Sequence, residues 1–209
     1  MRKPNFFRNC CTSYNSCLPS AELAKILLIV WPFIWLCCQK INKSVNQKIN
    51  RYILSFGSNQ GSRIDNLKLA LKAAGFFGEI TKKSSIYESK AYGYEEQPPF
   101  LNTLCILESY FRPFRLLWKL KAIELKLGRT RSFRWGPRCI DIDILEWNGR
   151  EINSHILTVP HIELEKRKFI LTALQDMVPE FVTRSGKKIL DLLKSCKDTG
   201  LVQLSKEQW

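Results

Sequence analysis

The segment Arg134–Leu145, RWGPRCIDIDIL, constrains this chain more than any other. Isoleucine and aspartate alternate from Ile140 to Ile144, the period of a β-strand, so Asp141 and Asp143 project from one face and Ile140, Ile142 and Ile144 from the other. A strand with hydrocarbon on one face and two acids on the other must lie on a core by its isoleucine side. Its acids, which repel each other, call for a cation that joins them. Hard oxygen ligands without histidine or cysteine suit Mg²⁺, which takes one or two carboxylates and completes its shell with water and phosphate. A solvated edge strand with alternating acids is the plainer alternative.

The pattern upstream fits such a strand into an α+β domain. YILSFGS, from Tyr52, reads as a first strand ending at Gly57. Ile64, Leu67, Leu71 and Ala74 then recur at helical spacing, with Gly75 as a stop. A second strand is expected over Ile80–Glu88 and a third from Phe100, FLNTLCILESY. Pro113 opens another helix, whose inner stripe is Leu116, Leu120, Ile123 and Leu127 and whose end is Gly128. Cys139 then opens the aspartate strand. The order β-α-β-β-α-β predicts a ferredoxin-like core, an antiparallel sheet with helices on one face. Asn148-Gly149 signals a turn into a short fifth strand, and two further helices are expected near Glu163–Met177 and Lys187–Cys196.

Residues 1–50 read differently. Seven basic residues stand against a single acid, Glu22, around an apolar run, Ile26–Cys38, that is too short to span a bilayer comfortably. Pro32 interrupts that run. The segment is expected to lie outside the fold, as a poorly structured extension; membrane association or an organelle-targeting role are the alternatives. The folded domain is expected over residues 51–209. Five of the eight cysteines fall in this leader, no CxxC occurs, and neither His155 nor His161 stands near a cysteine cluster, so neither zinc-ligand spacing nor a disulfide framework is present. Reduced thiols and a cytoplasmic location follow. The formal net charge of +14 calls for an anionic partner: nucleic acid, lipid headgroup or polyphosphate.

The surroundings of the acids choose among these. Arg129, Arg131, Arg134 and Arg138 lie within the stretch just before Asp141. Guanidinium groups beside paired carboxylates make a poor core but suit a metal-bridged polyphosphate, whose transfer depends on charge neutralisation and in-line positioning. The stretch from Gly128 to Trp135 has little apolar content and reads as a mobile loop able to close over a substrate. Thr158 and His161, in LTVPH, could bond a nucleotide or simply start a helix. Phe100, Trp135 and Phe169 could sandwich a flat heterocycle or belong to the core. FGSNQGS, from Phe56, lacks the Gly-Lys-Ser/Thr of a Walker loop and reads as a strand-to-helix turn.

Three motifs together carry a resemblance: Gly57-Ser58-Asn59, the block Gly128-Arg129-x-Arg131…Arg134-Trp135-Gly136-Pro137-Arg138…Asp141-x-Asp143, and Leu157-Thr158-Val159-Pro160-His161. From about Tyr52 to Phe181 the chain resembles the 6-hydroxymethyl-7,8-dihydropterin pyrophosphokinases. The resemblance implies transfer of diphosphate from ATP to the pterin hydroxymethyl group, a step in folate biosynthesis. It further implies two Mg²⁺ ions on Asp141 and Asp143, with Arg129 and Arg138 assisting transfer and Arg131 and Trp135 on a closing loop. By the same resemblance Glu124, Arg129, Arg131, Thr158, His161 and Arg167 serve the nucleotide. Ser89, Tyr92, Phe100, Asn102, Trp135 and Phe169 would serve the pterin, with Phe100 and Phe169 stacking on its ring. Lys121 stands where a glutamine is familiar, Ile156 where an arginine is. The expected partners are small molecules alone, with neither nucleic acid nor firm membrane association, and the expected state is a monomer. The rival functions are a ferredoxin-like RNA-binding module, against which the missing aromatic RNP1 pattern counts, and a pterin or nucleotide binder without catalysis.

Overall fold

The computed structural model describes residues 48–91, 93–94, 96–130, 135–198 and 202–203, the last pair by backbone only. The chain divides after Lys43, and all described residues belong to the unit Ser44–Trp209. The expectations for the leader therefore fall almost wholly outside the described residues, as do those for Tyr92, Arg131 and Arg134.

The elements run β1 (Asn50–Ser58), α1 (Arg63–Ala74), β2 (Glu79–Lys83), β3 (Tyr87–Ser89), β4 (Phe100–Ser109), α2 (Pro113–Lys126), β5 (Asp141–Trp147), β6 (Ile152–Asn153), β7 (Thr158–Val159), α3 (Lys168–Met177), α4 (Ile189–Ser195) and β8 (Val202–Gln203). The main sheet has the order β5-β1-β4-β3-β8, and β2 also pairs with β4. Every pairing in it is antiparallel. The result is an α+β domain with four α-helices among the described residues.

Register decides which side chains share a face. Opposite Gly57 lie Asn102 on β4 and Asp141 on β5; opposite Ser55 lie Leu104 and Asp143. These residues share one face with Ile53, while Tyr52, Leu54, Phe56, Ile142 and Ile144 take the other. α1 packs on β1 and β4, and α2 on β5 and α1. Leu67, Ala70, Leu116, Leu120 and Ile123 are buried there. On the first face, Ile53, Tyr87, Leu104 and Leu145 form a second core with Phe169, Ile170, Leu174 and Met177 of α3 and with Ile189 of α4. Leu145 reaches this core through a bulge opposite Ile53/Leu54.

The structure departs from the sequence-based expectations in four places. The single strand expected over Ile80–Glu88 is two, β2 and β3, both on β4. At the break Ser84 keeps the chain attached, its N–H donating to the Leu104 carbonyl and its Oγ accepting the Leu104 N–H, each at 2.9 Å. Gly75 does not stop α1 outright; it opens one 3₁₀ turn, Gly75–Phe77. The obligatory glycine is Gly78, where a Cβ would meet the Glu108 carbonyl oxygen at 2.2 Å. The Asn148-Gly149 turn, with φ of 50° and 67°, does lead into a strand, β6, but β6 pairs with β7 as a separate ribbon. Finally, α3 begins at Lys168, not near Glu163, because Arg167 is extended and the Lys168 N–H is capped by Asp198 Oδ2 at 3.0 Å.

Candidate active site

Where α3 and α4 stop covering the first face, the sheet presents Asp141, Asp143, Asn102 and Ser89. Gly57 lies at its floor. A Cβ there would approach Asn102 Oδ1 to 3.0 Å and Phe100 Cδ1 to 3.6 Å, so glycine leaves both groups clear. Asn102 is buried and donates to Ser89 Oγ at 2.9 Å, which fixes its amide beside the half-buried Phe100 ring. Asn59, in the turn after β1, braces both flanks. Its Nδ2 donates to Gln97 Oε1 and the Pro98 carbonyl, and its Oδ1 accepts the Arg138 N–H at 2.7 Å. Gln97 in turn donates to the Trp135 carbonyl at 2.8 Å. The Trp135 ring lies against Gly93, where φ is 84° and a Cβ would meet the ring at 2.7 Å.

Asp141 is held by two guanidinium groups. Arg129 Nη1 lies 2.5 Å from Asp141 Oδ1 and 2.5 Å from Glu124 Oε2, and Arg138 pairs with Asp141 Oδ2. Burial raises the Asp141 pKa, but Lys121, Arg129 and Arg138 outweigh it and hold the carboxyl below the usual aspartate range. Burial also works against the charge on Arg129, and the carboxylates of Asp141 and Glu124 overcome it.

β5 is the edge strand, so the outward N–H and C=O of Ile142 have no strand partner. α2 supplies one. Glu124 Oε1 accepts the Ile142 N–H at 2.6 Å, and Lys121 Nζ donates to the Ile142 carbonyl at 2.9 Å. Glu124 is 2% exposed, and burial raises its pKa although Lys121 and Arg129 pull it down. It faces the backbone between the two aspartates and so fixes where they stand. Lys121 is pulled the other way: burial disfavours its charge, but Asp143, Asp141 and Glu124 raise its pKa above the ordinary lysine value.

The remaining sequence-predicted residues lie further along the chain. Thr158 is exposed on β7. His161 Nδ1 accepts the Glu163 N–H at 3.2 Å, and its own N–H donates to the Leu145 carbonyl at 2.9 Å. This is a local turn that fastens the segment to β5. Arg167 lies 3.5 Å from Asp198 and stacks over the Phe169 ring at 5.2 Å. Phe169 itself is 6% exposed within the α3 core. Spacing alone does not show Gly57 as the cleared floor, Asn59 as a brace, or Lys121 as a cation among the acids. The G-S-N spelling and the i,i+3 spacing of Lys121 and Glu124 were the available signals.

Among the described residues no cluster of three or more His, Cys, Asp or Glu side chains could cage a metal alone. Asp141 and Asp143 offer adjacent hard oxygens on one face. That donor set fits Mg²⁺ completed by a polyphosphate and water, and does not fit a structural zinc. No helix among the described residues is long and apolar enough to cross a membrane.

Comparison with known proteins points to one family. The family model described as 7,8-dihydro-6-hydroxymethylpterin-pyrophosphokinase matches residues 53–179. A 2-amino-4-hydroxy-6-hydroxymethyldihydropteridine pyrophosphokinase of Aquifex aeolicus is 43% identical over 141 residues, covering 68% of this chain and 88% of that one. The Haemophilus influenzae enzyme of the same name is 33% identical over 159 residues, 75% of this chain and 99% of that one. A Pisum sativum protein named folate synthesis bifunctional protein, mitochondrial, is 40% identical over 127 residues, 60% of this chain and 25% of its own. Among solved structures, a Plasmodium falciparum HPPK-DHPS chain superposes with a TM-score of 0.59 at 17% identity, covering 73% of this chain and 45% of that one, so this chain spans under half its length. That likeness speaks to the fold.

Proposed function

The chain belongs to the 7,8-dihydro-6-hydroxymethylpterin-pyrophosphokinase family, and from that premise we propose that it transfers the terminal diphosphate of ATP to the hydroxymethyl oxygen of 6-hydroxymethyl-7,8-dihydropterin at the open end of the sheet. It is an ATP-dependent pyrophosphokinase of folate biosynthesis. The observation that carries the assignment of the site is the pairing of Asp141 and Asp143 on one strand face with Arg129 and Arg138 already gathered on Asp141. The order β5-β1-β4, with β2 and β3 both paired to the far side of β4, supports the ferredoxin-like reading of the core.

In this reading Asp141 and Asp143 would hold two Mg²⁺ ions, which when bound neutralise the polyphosphate and polarise its β-phosphorus. The chain's own residues do the rest. Phe100 offers a ring to the pterin, Asn102 and Ser89 face its polar edge, and Phe169 closes the apolar side. Tyr92, outside the described residues, would serve the pterin as well. Thr158, His161 and Arg167 line the nucleotide side. Glu124 acts through Ile142 and Arg129 as a positioning residue. Arg129 and Arg138 exchange Asp141 for phosphate oxygens, and Arg131 and Trp135 come over the substrates to exclude water. The new bond joins the hydroxymethyl oxygen to the β-phosphorus, the α–β bridging bond breaks, AMP leaves, and the hydroxyl proton passes to water.

In this reading the chain acts as a monomer on small molecules alone. Cys105, Cys139 and Cys196 are free thiols, consistent with a reducing, cytoplasmic setting. The test is AMP release from ATP and the hydroxymethyl-dihydropterin; no AMP from the folded full-length chain would refute the assignment. The same assay on a chain beginning at Lys48 should give near-equal turnover if residues 51–209 are the catalytic unit; a folded but inactive product would refute that boundary.

A further inference from the structure

One cation beside the aspartates has no part in the mechanism above. Lys121 Nζ lies 2.8 Å from Glu124 Oε1, 3.4 Å from Asp143 Oδ1 and 3.8 Å from Asp141 Oδ1. It is held there by a 2.9 Å hydrogen bond to the Ile142 carbonyl, the peptide between the two acids. Arg129 and Arg138 both bind Asp141. Among the described residues, Lys121 is therefore the one cation paired with Asp143.

Three carboxylates, Glu124, Asp141 and Asp143, thus face three cations, Lys121, Arg129 and Arg138, before any metal arrives. A divalent ion approaching Asp143 meets an ammonium already in place and is repelled by it. A polyphosphate changes this balance. It brings several negative charges to the same point and offers the ammonium another anion, so that metal and lysine no longer compete for Asp143. The Lys121 side chain is 32% exposed, open enough to turn toward an incoming phosphate.

We propose that Lys121 gates the metal site: it keeps the aspartate pair neutralised in the nucleotide-free protein and yields it to divalent metal only together with a polyphosphate. The inference rests on the reading of Asp141 and Asp143 as metal ligands. Its consequence is that free metal binds weakly and that metal and nucleotide bind with strong positive coupling, which linkage makes reciprocal.

The experiment titrates Mn²⁺ into the full chain without nucleotide, following free Mn²⁺ by electron paramagnetic resonance. Lys121→Gln, which keeps a donor toward Ile142 but removes the charge, should bind Mn²⁺ about 10-fold more tightly than wild type. Lys121→Arg should resemble wild type, and Asp143→Asn should lose the site. A non-hydrolysable ATP analogue should tighten Mn²⁺ binding about 10-fold more in wild type than in Lys121→Gln. Near-ultraviolet circular dichroism checks folding, and Lys121→Met serves if the glutamine variant does not fold. Equal Mn²⁺ affinity in wild type and a folded charge-free variant, with Asp143→Asn still defective, would overturn the gate while leaving the metal ligands in place. Mn²⁺ binding unaffected by Asp143→Asn would overturn both readings.

Discussion

The two faces of the main sheet are made by the same strands yet carry different chemistry. On one, Leu54, Phe56, Ile142 and Ile144 meet α1 and α2 along the whole length of β1 and are fully or almost fully buried. On the other, Ile53 and Leu104 meet α3 at one end, whereas Gly57, Asn102, Asp141 and Asp143 occupy the other, where no helix among the described residues is laid over them. A sheet face that is half core and half polar shows where the fold stops maximising burial. The polar half carries acids that only cations make tolerable, and it lies where strand ends and loops converge.

The sharpest way to test that contrast is to alter the polar half alone. Asp141→Asn or Asp143→Asn should lower AMP formation by roughly 10²–10³-fold while the far-ultraviolet circular dichroism stays that of wild type. Near-normal turnover in either variant at ordinary Mg²⁺ would show that the open half is not the reacting half. The covered face should respond in the opposite way. Leu120→Ala, at a fully buried position, should cost about 2–5 kcal/mol in urea denaturation with activity per folded molecule preserved in the cold. Loss of activity without loss of stability would break the division between the faces.

A smaller effect should separate two phenylalanines on the functional face. Phe100 is half-buried and Phe169 lies in the α3 core. Phe100→Ala should weaken pterin binding by about 2- to 10-fold, as expected for one lost ring contact, with little change in melting temperature. Phe169→Ala should weaken pterin binding too but, because its ring also packs in the α3 core, should lower the melting temperature as well. Calorimetry with pterin alone, set beside melting curves, distinguishes them, and identical behaviour of the two variants would contradict the boundary drawn between site and core.

The subtlest test compares two acids of β5. Asp141, among cations, has a lowered pKa; Glu146 has a raised one, because burial outweighs its hydrogen bond from the Gly149 N–H and the charge of Arg51. A carboxyl whose folded pKa lies above its unfolded value opposes folding when ionised, and that penalty vanishes once pH falls below the unfolded value. Glu146→Gln retains an acceptor for Gly149. Its melting temperature should therefore exceed that of wild type at pH 7, with the gap closing toward about pH 4. A gap that widens on acidification would reverse the assigned sign.

Much of this arrangement can be read from residue spacing. The alternation in CIDIDIL, the Leu116–Leu120–Ile123 stripe and Pro113 at the start of α2 all specify local structure, and each appears as expected. Local pattern does not separate β2 from β3, since the break depends on Ser84 bonding to Leu104, a residue 20 positions away. Nor does it locate the start of α3, which waits on Asp198 at 30 positions' remove. Thr158-Val159-Pro160-His161 could be read as ligand or as turn, and His161 does close a local turn, its Nδ1 accepting the Glu163 N–H.

Residue order alone dictates that Asp141 and Asp143 share a strand face, that arginines crowd the segment before them, and that apolar stripes exist to bury the opposite side. These follow from the periods of 2 and 3.6 residues, which are properties of the local backbone. Packing between elements is what makes Arg129 and Arg138 converge on Asp141, lets Gly57 clear space beside Asn102 and Phe100, and has Glu124 and Lys121 complete the edge of β5 at Ile142. The reason is that charge neutralisation and edge pairing are through-space relations between elements. They are set when β1, β4 and β5 find their register and α2 docks against the edge, and no window of sequence contains that register.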